Sequence, residues 1–333
     1  MSLFRLNPQE LPPAACRGGV LSLGNFDGVH RGHAALIAEA ARQARGRAVP
    51  AVALTFDPHP LQLLRPESFQ PILTTIEERA ALLHAAGADH VIVLETTADL
   101  LQRSAGDFFQ TVILDRLAAQ ALVEGPNFAF GHNREGTVDT LKRLCGQAGM
   151  DLTVLPPVLH EGKPISSSRV RRALEQGTVG EAAILMGHSY RLRGRVVAGQ
   201  RRGRTLGFPT ANLEELPTLI PGDGVYAVRV ELASPAARPV EKGGKEECPL
   251  FWPGAANIGP NPTFGENRRK VEVHLIGFNG DLLGQALAID FLDRIRNTRK
   301  FASAEQLVEQ LRHDVEKAEQ MAAKPGKSAS DCD

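Results

Sequence analysis

Leu21-Ser22-Leu23-Gly24-Asn25-Phe26-Asp27-Gly28-Val29-His30-Arg31-Gly32-His33 is the stretch that decides the fold. A short apolar run over residues 19–23 stops at glycine and crosses a glycine-punctuated turn. It then enters a helix read over residues 33–45, with Leu36, Ile37 and Ala40 on one stripe. The same grammar repeats downstream. Strands are expected at 48–56, 90–94 and 121–124, an extended segment at 152–158, and helices at 76–86, 107–117 and 137–149. Apolar strands parted by amphipathic helices predict a doubly wound parallel sheet with helices on both faces.

The turn itself carries chemistry. His30 and His33 stand three residues apart at a strand-to-helix junction with Gly24, Gly28 and Gly32. Glycines let backbone approach a ligand, and a helix N-terminus offers free N–H groups and a positive dipole end. Two imidazoles there are placed to donate to a phosphate whose charge grows in a transition state. Thr55-Phe56-Asp57-Pro58-His59-Pro60 and Gly125-Pro126-Asn127-Phe128-Ala129-Phe130-Gly131 each follow a strand, where open α/β sheets bind ligands. Each alone also reads as a plain strand break or turn. Ile165-Ser166-Ser167-Ser168-Arg169-Val170-Arg171-Arg172 opens a further helix. Serines cap helices, but arginines in a first turn oppose the macrodipole. A phosphate held by the serines and Arg169 therefore competes with a solvated basic face.

After residue 187 the pattern changes. Two short helices at 168–176 and 179–186 give way to segments 191–197, 224–232, 254–258, 270–277 and 283–292, which read as strands parted by Gly, Pro and Asn. They predict a small Greek-key β-barrel, closed by a helix over 303–321 with Leu307, Leu311 and Val315 on one face and Ser303 with Gln306 as a capping box. The expected domains are 1–187 and 188–323, with 324–333 and the Pro/Gly/Lys/Glu-rich loop 234–247 disordered. In the barrel, the basic loop Gly199-Gln200-Arg201-Arg202-Gly203-Arg204-Thr205-Leu206-Gly207 can wrap phosphates, although it is not a Walker A loop. Pro209-Thr210-Ala211-Asn212 brings hard oxygen donors together. In Val271-Glu272-Val273-His274, Glu272 is expected inside the barrel, where a carboxylate needs a task or a partner. Taking a proton from an attacking hydroxyl is one such task. Alternation alone leaves open the reading that this face is exposed.

Length and composition bound the rest. At 333 residues with 43% hydrophobic and 23% charged content, the chain fits about two globular domains. With 38 basic against 38 acidic residues, broad binding to nucleic acid or membrane surfaces is not expected. No signal peptide or bilayer-spanning run is expected, and the scattered Cys16, Cys145, Cys248 and Cys332 read as reduced thiols of a cytoplasmic protein.

The set GNFDGVHRGH, TFDPHP, GPNFAFG and ISSSRVRR, in that order, resembles the adenylyltransferase half of bifunctional riboflavin kinase/FAD synthetases. GQRRGRTLGFPTANL, GVYAV, NIGPNPTF and VEVHLIGFNGDLLG resemble the riboflavin kinase half, and together the two likenesses span residues 19–317. The resemblance implies His30 and His33 as transition-state stabilisers, with Gly24, Asn25, Phe26 and Asp27 around ATP and Ser166, Ser167 and Arg169 clamping the triphosphate. Asp57, His59 and Asn127 fall on the flavin or nucleotide side. At the kinase site it implies Gly199, Arg204, Gly207, Pro209, Thr210 and Asn212 at ATP, with Thr210 and Asn212 also at Mg²⁺. Glu272 becomes the base, and Arg296, Thr298 and Phe301 hold the flavin. Riboflavin, FMN and ATP would be the substrates, and a monomer or weak homo-oligomer the assembly. Thr298, Gly277 and Leu283 depart from the family's usual acid, aspartate and tyrosine, and Asn127 from its usual acid. A single-activity enzyme, a nucleotidyltransferase of the CDP or coenzyme A type, and a flavin-binding regulator are the competing readings.

Overall fold

A computed structural model describes residues 2–200, 202–232, 251–261 and 266–323. The loop expected at 234–247 and the tail at 324–333 lie outside these residues. The chain divides into two compact units, residues 1–70 with 74–167, and residues 71–73 with 168–333.

The first unit runs β1 (Ser2–Leu6), β2 (Val20–Leu23), α1 (Arg31–Arg47), β3 (Ala51–Asp57), α2 (Pro60–Leu64), α3 (Ile76–Ala85), β4 (His90–Glu95), α4 (Ala98–Leu101), α5 (Ala105–Phe108), β5 (Ala121–Glu124), α6 (Val138–Ala148) and β6 (Asp151–Val154). A small hairpin of β7 (Leu159–His160) and β8 (Lys163–Pro164) follows. Six strands form one parallel sheet in the order β1-β4-β3-β2-β5-β6. The order reverses between β2 and β5, so the switch point, where such sheets bind ligands, lies there. Alternate residues of each strand serve opposite faces. Ala53 and Val91 pack with Ile37 of α1 and Ala80 and Leu83 of α3, and Val20, Ala51 and Val123 with Ala40, Ala41 and Ala44 of α1. Leu21, Leu54 and Leu122 pack on the other face with Phe108, Ile113 and Leu141. The expected two-faced sheet is therefore present.

The first strand and the form of one helix depart from expectation. β1 adds an edge strand whose pattern of partial burial alternates residue by residue, too short and too mixed to stand out from the residues around it. The helix expected at 107–117 is α5 followed by a π-helical stretch, Phe109–Arg116.

The second unit takes up α7 (Ser167–Glu175) from its second residue and continues with α8 (Val179–Met186), then β9 (Tyr190–Val197), α9 (Arg202–Thr205), β10 (Ala211–Glu214), β11 (Gly224–Leu232), β12 (Trp252–Asn261), β13 (Glu266–Leu275), β14 (Ala286–Arg296) and α10 (Ala304–Ala323). Six strands close a barrel in the order β10-β13-β12-β11-β14-β9. β14 returns beside β11 after three consecutive strands, the Greek-key order. The sixth strand, β10, was not among the expected segments: Ala211 and Leu213 are buried in the barrel wall and Asn212 faces outward. Tyr190, Tyr226 and Phe291 fill the interior with aromatic contacts.

Candidate active sites

At the switch point the ladder between β2 and β5 lasts only two pairs, Val20↔Ala121 and Leu21↔Leu122, whereas β2 follows β3 to Leu23↔Leu54. The turn after β2 lies above this opening. Its backbone is held in unusual conformations: Phe26 has φ 47° and Val29 φ 37°, positions that cost energy for bulky and β-branched residues. A buried network keeps them there. Asp27 and Arg79, each 2% exposed, form an ion pair at 3.3 Å. Asp27 also accepts from the Thr74 N–H at 3.1 Å and the Thr74 hydroxyl at 3.3 Å. Arg79 donates to Thr55 Oγ1 at 3.3 Å and to the Thr74 carbonyl at 3.2 Å. Thr55 donates in turn to the Asn25 carbonyl at 3.1 Å.

His30 is the N-cap of α1, its Nδ1 accepting the His33 N–H at 3.3 Å. In the neutral ring that acceptor role leaves the proton on Nε2, ready to donate. The two imidazoles stack with centroids 3.7 Å apart, and Phe26 meets His33 edge-on at 5.3 Å. A side chain on Gly32 would press on the His30 ring, so only glycine admits this fold-back without displacement. Burial pushes the His30 imidazole down to about 4, against smaller opposing effects of its own backbone and Asp27. Burial, then the neighbouring His30 and Arg79, push His33 lower as well. Nδ1 of His33 is buried without a hydrogen-bond partner. An orphan polar atom in the first turn of a helix, where backbone N–H groups are also unpaired, suits an anion.

Ser167 reaches this turn. Its hydroxyl donates to the Asp27 carbonyl at 2.9 Å across 140 residues of sequence. Two motifs far apart in the chain thus meet. Other expected residues take different places. The Phe26 side chain is core, 1% exposed, and Asp27 faces Arg79, so both side chains shape the turn from beneath. Asp57 is ion-paired with Arg5 at 2.9 Å, and His59 caps α2 by accepting the Leu61 N–H at 3.1 Å. Asn127 is exposed, while Phe128 stacks on Phe130. Of the arginines opening α7, Arg171 is buried and donates to the Pro71 carbonyl at 3.2 Å. Arg169 is half-buried.

On the barrel, Val271, Val273 and Leu275 are the buried residues of β13. Glu272 and His274 therefore point outward, which corrects the expectation of a carboxylate inside the barrel. The interior is too tightly packed with Tyr and Phe to admit one without a partner. Glu272 is half-buried in a polar cross-strand row, with Asn212 on β10 and Asn257 on β12 opposite it in register. His274 fixes the neighbouring segment, its Nδ1–H donating to the Pro209 carbonyl at 2.7 Å and its ring meeting Phe208 edge-on. The Asn212 amide occupies the space a Gly199 side chain would fill. Gly199 and Asn212 line a pocket of about 720 Å³ with Gln200, Leu216, Arg269 and Lys270. Thr210, Arg204, Gly207 and Pro209 lie exposed on the same loop. Arg296 is bound bidentately by Asp314 of α10, at 2.7 and 3.0 Å, and lies over the Phe301 ring, which Arg299 also covers. That guanidinium braces α10 against the barrel, and Thr298 sits half-buried beside it.

Arg79, Thr74 and Glu124 were not anticipated. The signal for Arg79 was a cation on the stripe of α3 that carries Ala80 and Leu83; for Glu124 it was an acid ending a fully buried strand.

A switch-point crevice with an anion-ready histidine turn, on a chain that continues into a Greek-key barrel with a glycine loop and an outward carboxylate, defines a two-unit nucleotide-dependent transferase. Family profiles agree: FAD synthetase matches residues 13–169 and riboflavin kinase matches residues 186–322. Proteins named bifunctional riboflavin kinase/FMN adenylyltransferase are similar along almost the whole length. The one from Escherichia coli (strain K12) is 36% identical over 92% of this chain and 93% of its own. That from Pseudomonas fluorescens is 35% identical over 96% of each, and that from Bacillus subtilis (strain 168) 34% identical over 94% and 95%. A solved structure named as a macrolide-efflux protein from Streptococcus pneumoniae shares the fold, with TM-score 0.81 at 33% identity over 95% of this chain and 98% of that one. The chain belongs to the bifunctional riboflavin kinase/FMN adenylyltransferase family. It is a transferase that phosphorylates riboflavin to FMN with ATP and adenylates FMN to FAD, releasing pyrophosphate. Among the described residues no helix is long and apolar enough to cross a membrane.

Proposed function

We propose that FAD formation takes place at the Gly24–His33 turn and FMN formation along the Asn212–Glu272 row, each with the residue roles given below. The observation that carries the first assignment is the Ser167 hydroxyl on the Asp27 carbonyl, which brings the serine motif onto the histidine turn. An FMN phosphate oxygen attacks the α-phosphorus of ATP, the bond to the β-phosphate oxygen breaks, and pyrophosphate leaves. Charge grows on the α-phosphate oxygens. Nε2–H of His30 and the ring of His33 donate to it, and the arriving anion offsets the burial that keeps both imidazoles neutral. Ser166, Ser167 and Arg169 hold the departing phosphates. Asp57, His59 and Asn127 border the flavin or nucleotide side.

At the barrel, Glu272 takes the proton of the ribityl hydroxyl as its oxygen attacks the γ-phosphorus, and ADP leaves. The glycine loop with Arg204 cradles the phosphates. The Thr210 hydroxyl and Asn212 amide are hard, neutral oxygen donors, and bare Gly199 leaves the amide its room. Such a pair suits Mg²⁺ held mainly by substrate phosphates, where the ion neutralises their charge. Phe301 and Thr298 border the flavin, and Arg296 acts by fixing α10. The functional division runs at residues 187/188. A cytoplasmic monomer or weak homo-oligomer fits reactions that both consume ATP. The efflux name of the Streptococcus pneumoniae structure is not carried over, since both family profiles describe flavin chemistry.

A chromatographic time course with riboflavin, ATP and MgCl₂ tests the assignment. FMN is expected before FAD. Glu272→Gln loses FMN formation by at least about 100-fold yet still converts supplied FMN to FAD. His30→Ala/His33→Ala makes FMN but no FAD. Failure of Glu272→Gln to convert supplied FMN, or loss of FMN formation in His30→Ala/His33→Ala, refutes the placement.

A further inference from the structure

Glu124 ends β5 at the switch point and is 1% exposed. Its carboxyl does what backbone does elsewhere in the sheet. Successive N–H groups of a strand point to opposite neighbours. The Gly24 N–H goes to the Leu54 carbonyl on the β3 side at 3.0 Å, so the Leu23 N–H faces β5. The β2–β5 ladder has already ended at Leu21↔Leu122. The Leu23 N–H is taken instead by Glu124 Oε1 at 2.7 Å. The Glu124 backbone meanwhile stays with β6, pairing Glu124↔Val154 and accepting the Leu155 N–H at 2.9 Å. A side chain thus spans the gap that a direct ladder would close. Burial holds this carboxyl well above the usual range, against the smaller opposing effect of the Leu23 N–H it accepts.

We propose that Glu124 is a positioning residue for adenylyl transfer, bridging β5 to the end of β2 and so holding the switch-point crevice at the width the Gly24–His33 turn needs. The proposal rests on placing FAD formation at that turn. A shorter or apolar side chain leaves the Leu23 N–H buried without an acceptor. The ladder is then free to zip one step further, or the strand end to drift, and either shifts Gly24 and the turn above it. Glutamine keeps an acceptor oxygen at the same reach and adds no charge.

The test follows both reactions in the full chain. Glu124→Leu is expected to raise the KM for ATP in FAD formation about tenfold, the equivalent of one buried hydrogen bond, while riboflavin phosphorylation keeps its kcat and KM. Glu124→Gln is expected to stay within about twofold of the parent. Simple loss of folded protein lowers kcat without moving KM, and so is distinguished. An unchanged KM in Glu124→Leu, equal loss in both reactions, or a Gln variant as impaired as Leu overturns the proposal. His30→Ala/His33→Ala is run alongside. If it still makes FAD, the site assignment fails; if it does not while Glu124→Leu is unimpaired, only the role of Glu124 fails. Where Glu124→Leu does not fold, hydrogen exchange decides. The Leu23 amide is expected to be protected in the parent and in Glu124→Gln, and fast exchange in the parent overturns the proposal.

Discussion

Replacing Arg79 by methionine tests whether the buried ion pair holds the histidine turn in its strained shape. In the parent, Arg79 and Asp27 are equally buried, and the guanidinium serves Asp27, Thr55 and the Thr74 carbonyl together. Removing one partner of such a pair costs about 3–5 kcal/mol, because a charge is left buried alone. Asp27 keeps its two bonds from Thr74, and methionine refills the stem of the site, which together offset about 1 kcal/mol. The expected loss is about 3 kcal/mol, local to the first unit. One global unfolding energy is ill-defined in a chain of two units. Amide hydrogen exchange resolved by peptide is the assay of choice, because it reads each unit separately and does not depend on activity. Protection over Arg31–Arg47 and Ile76–Ala85 should fall about 100-fold, with the barrel strands unchanged. Asp27→Asn/Arg79→Met should recover at least half of this, since no unpaired charge remains. Protection within threefold of the parent in Arg79→Met, or an additive double variant, would refute the reasoning.

Two further predictions follow from the sites. His30 sits below its ordinary value of 6.5, at about 4, because it is buried. The folded state therefore refuses a proton that the unfolded chain accepts, and stability should fall as pH drops from about 6.5 to about 4, by about 1.4 kcal/mol per pH unit for this one group. His30→Asn keeps a good N-cap and should flatten that slope in thermal melts, with melting at pH 7 little changed and FAD formation down by at least about 100-fold. Gly199→Ala puts a methyl group into the Asn212 amide. It should raise the KM for ATP in FMN formation about tenfold, as one misplaced hydrogen-bonding group would, and leave FAD formation from supplied FMN as it was.

Much of this was legible in the chain itself, for reasons that differ by residue. The sheet could be read because β2, β3 and β5 are apolar runs bounded by glycine or by a helix cap, and because Thr75 with Glu78 announces α3 through its capping box. His30 and His33 could be read because a histidine pair at a strand–helix turn has few structural uses. What stayed hidden depends on long-range geometry. No local pattern says that Arg79 turns inward to Asp27, 52 residues away, or that Glu124 reaches the Leu23 N–H across 101. The side of the barrel on which Glu272 lies could not be read either. Period-two alternation separates two faces without naming the inner one, and the answer came from which face closed on Tyr226 and Phe291. β10 was missed because Pro209 and Thr210 lead into only four strand residues, whose pairing is supplied entirely by β9 and β13.

Residues 71–73 belong with the barrel unit although the chain on either side of them belongs with the sheet. There the Ile72 carbonyl accepts the Leu219 N–H at 2.9 Å, and the Pro71 carbonyl accepts from Arg171. The polypeptide is therefore stitched rather than strung: no single cut separates two whole units. A gene fragment beginning at residue 168 encodes every barrel strand but omits the tripeptide that satisfies Leu219 and Arg171. A fragment of the riboflavin-phosphorylating half therefore keeps its full bonding only if those three residues come with it, or if the Leu219 N–H is given another acceptor.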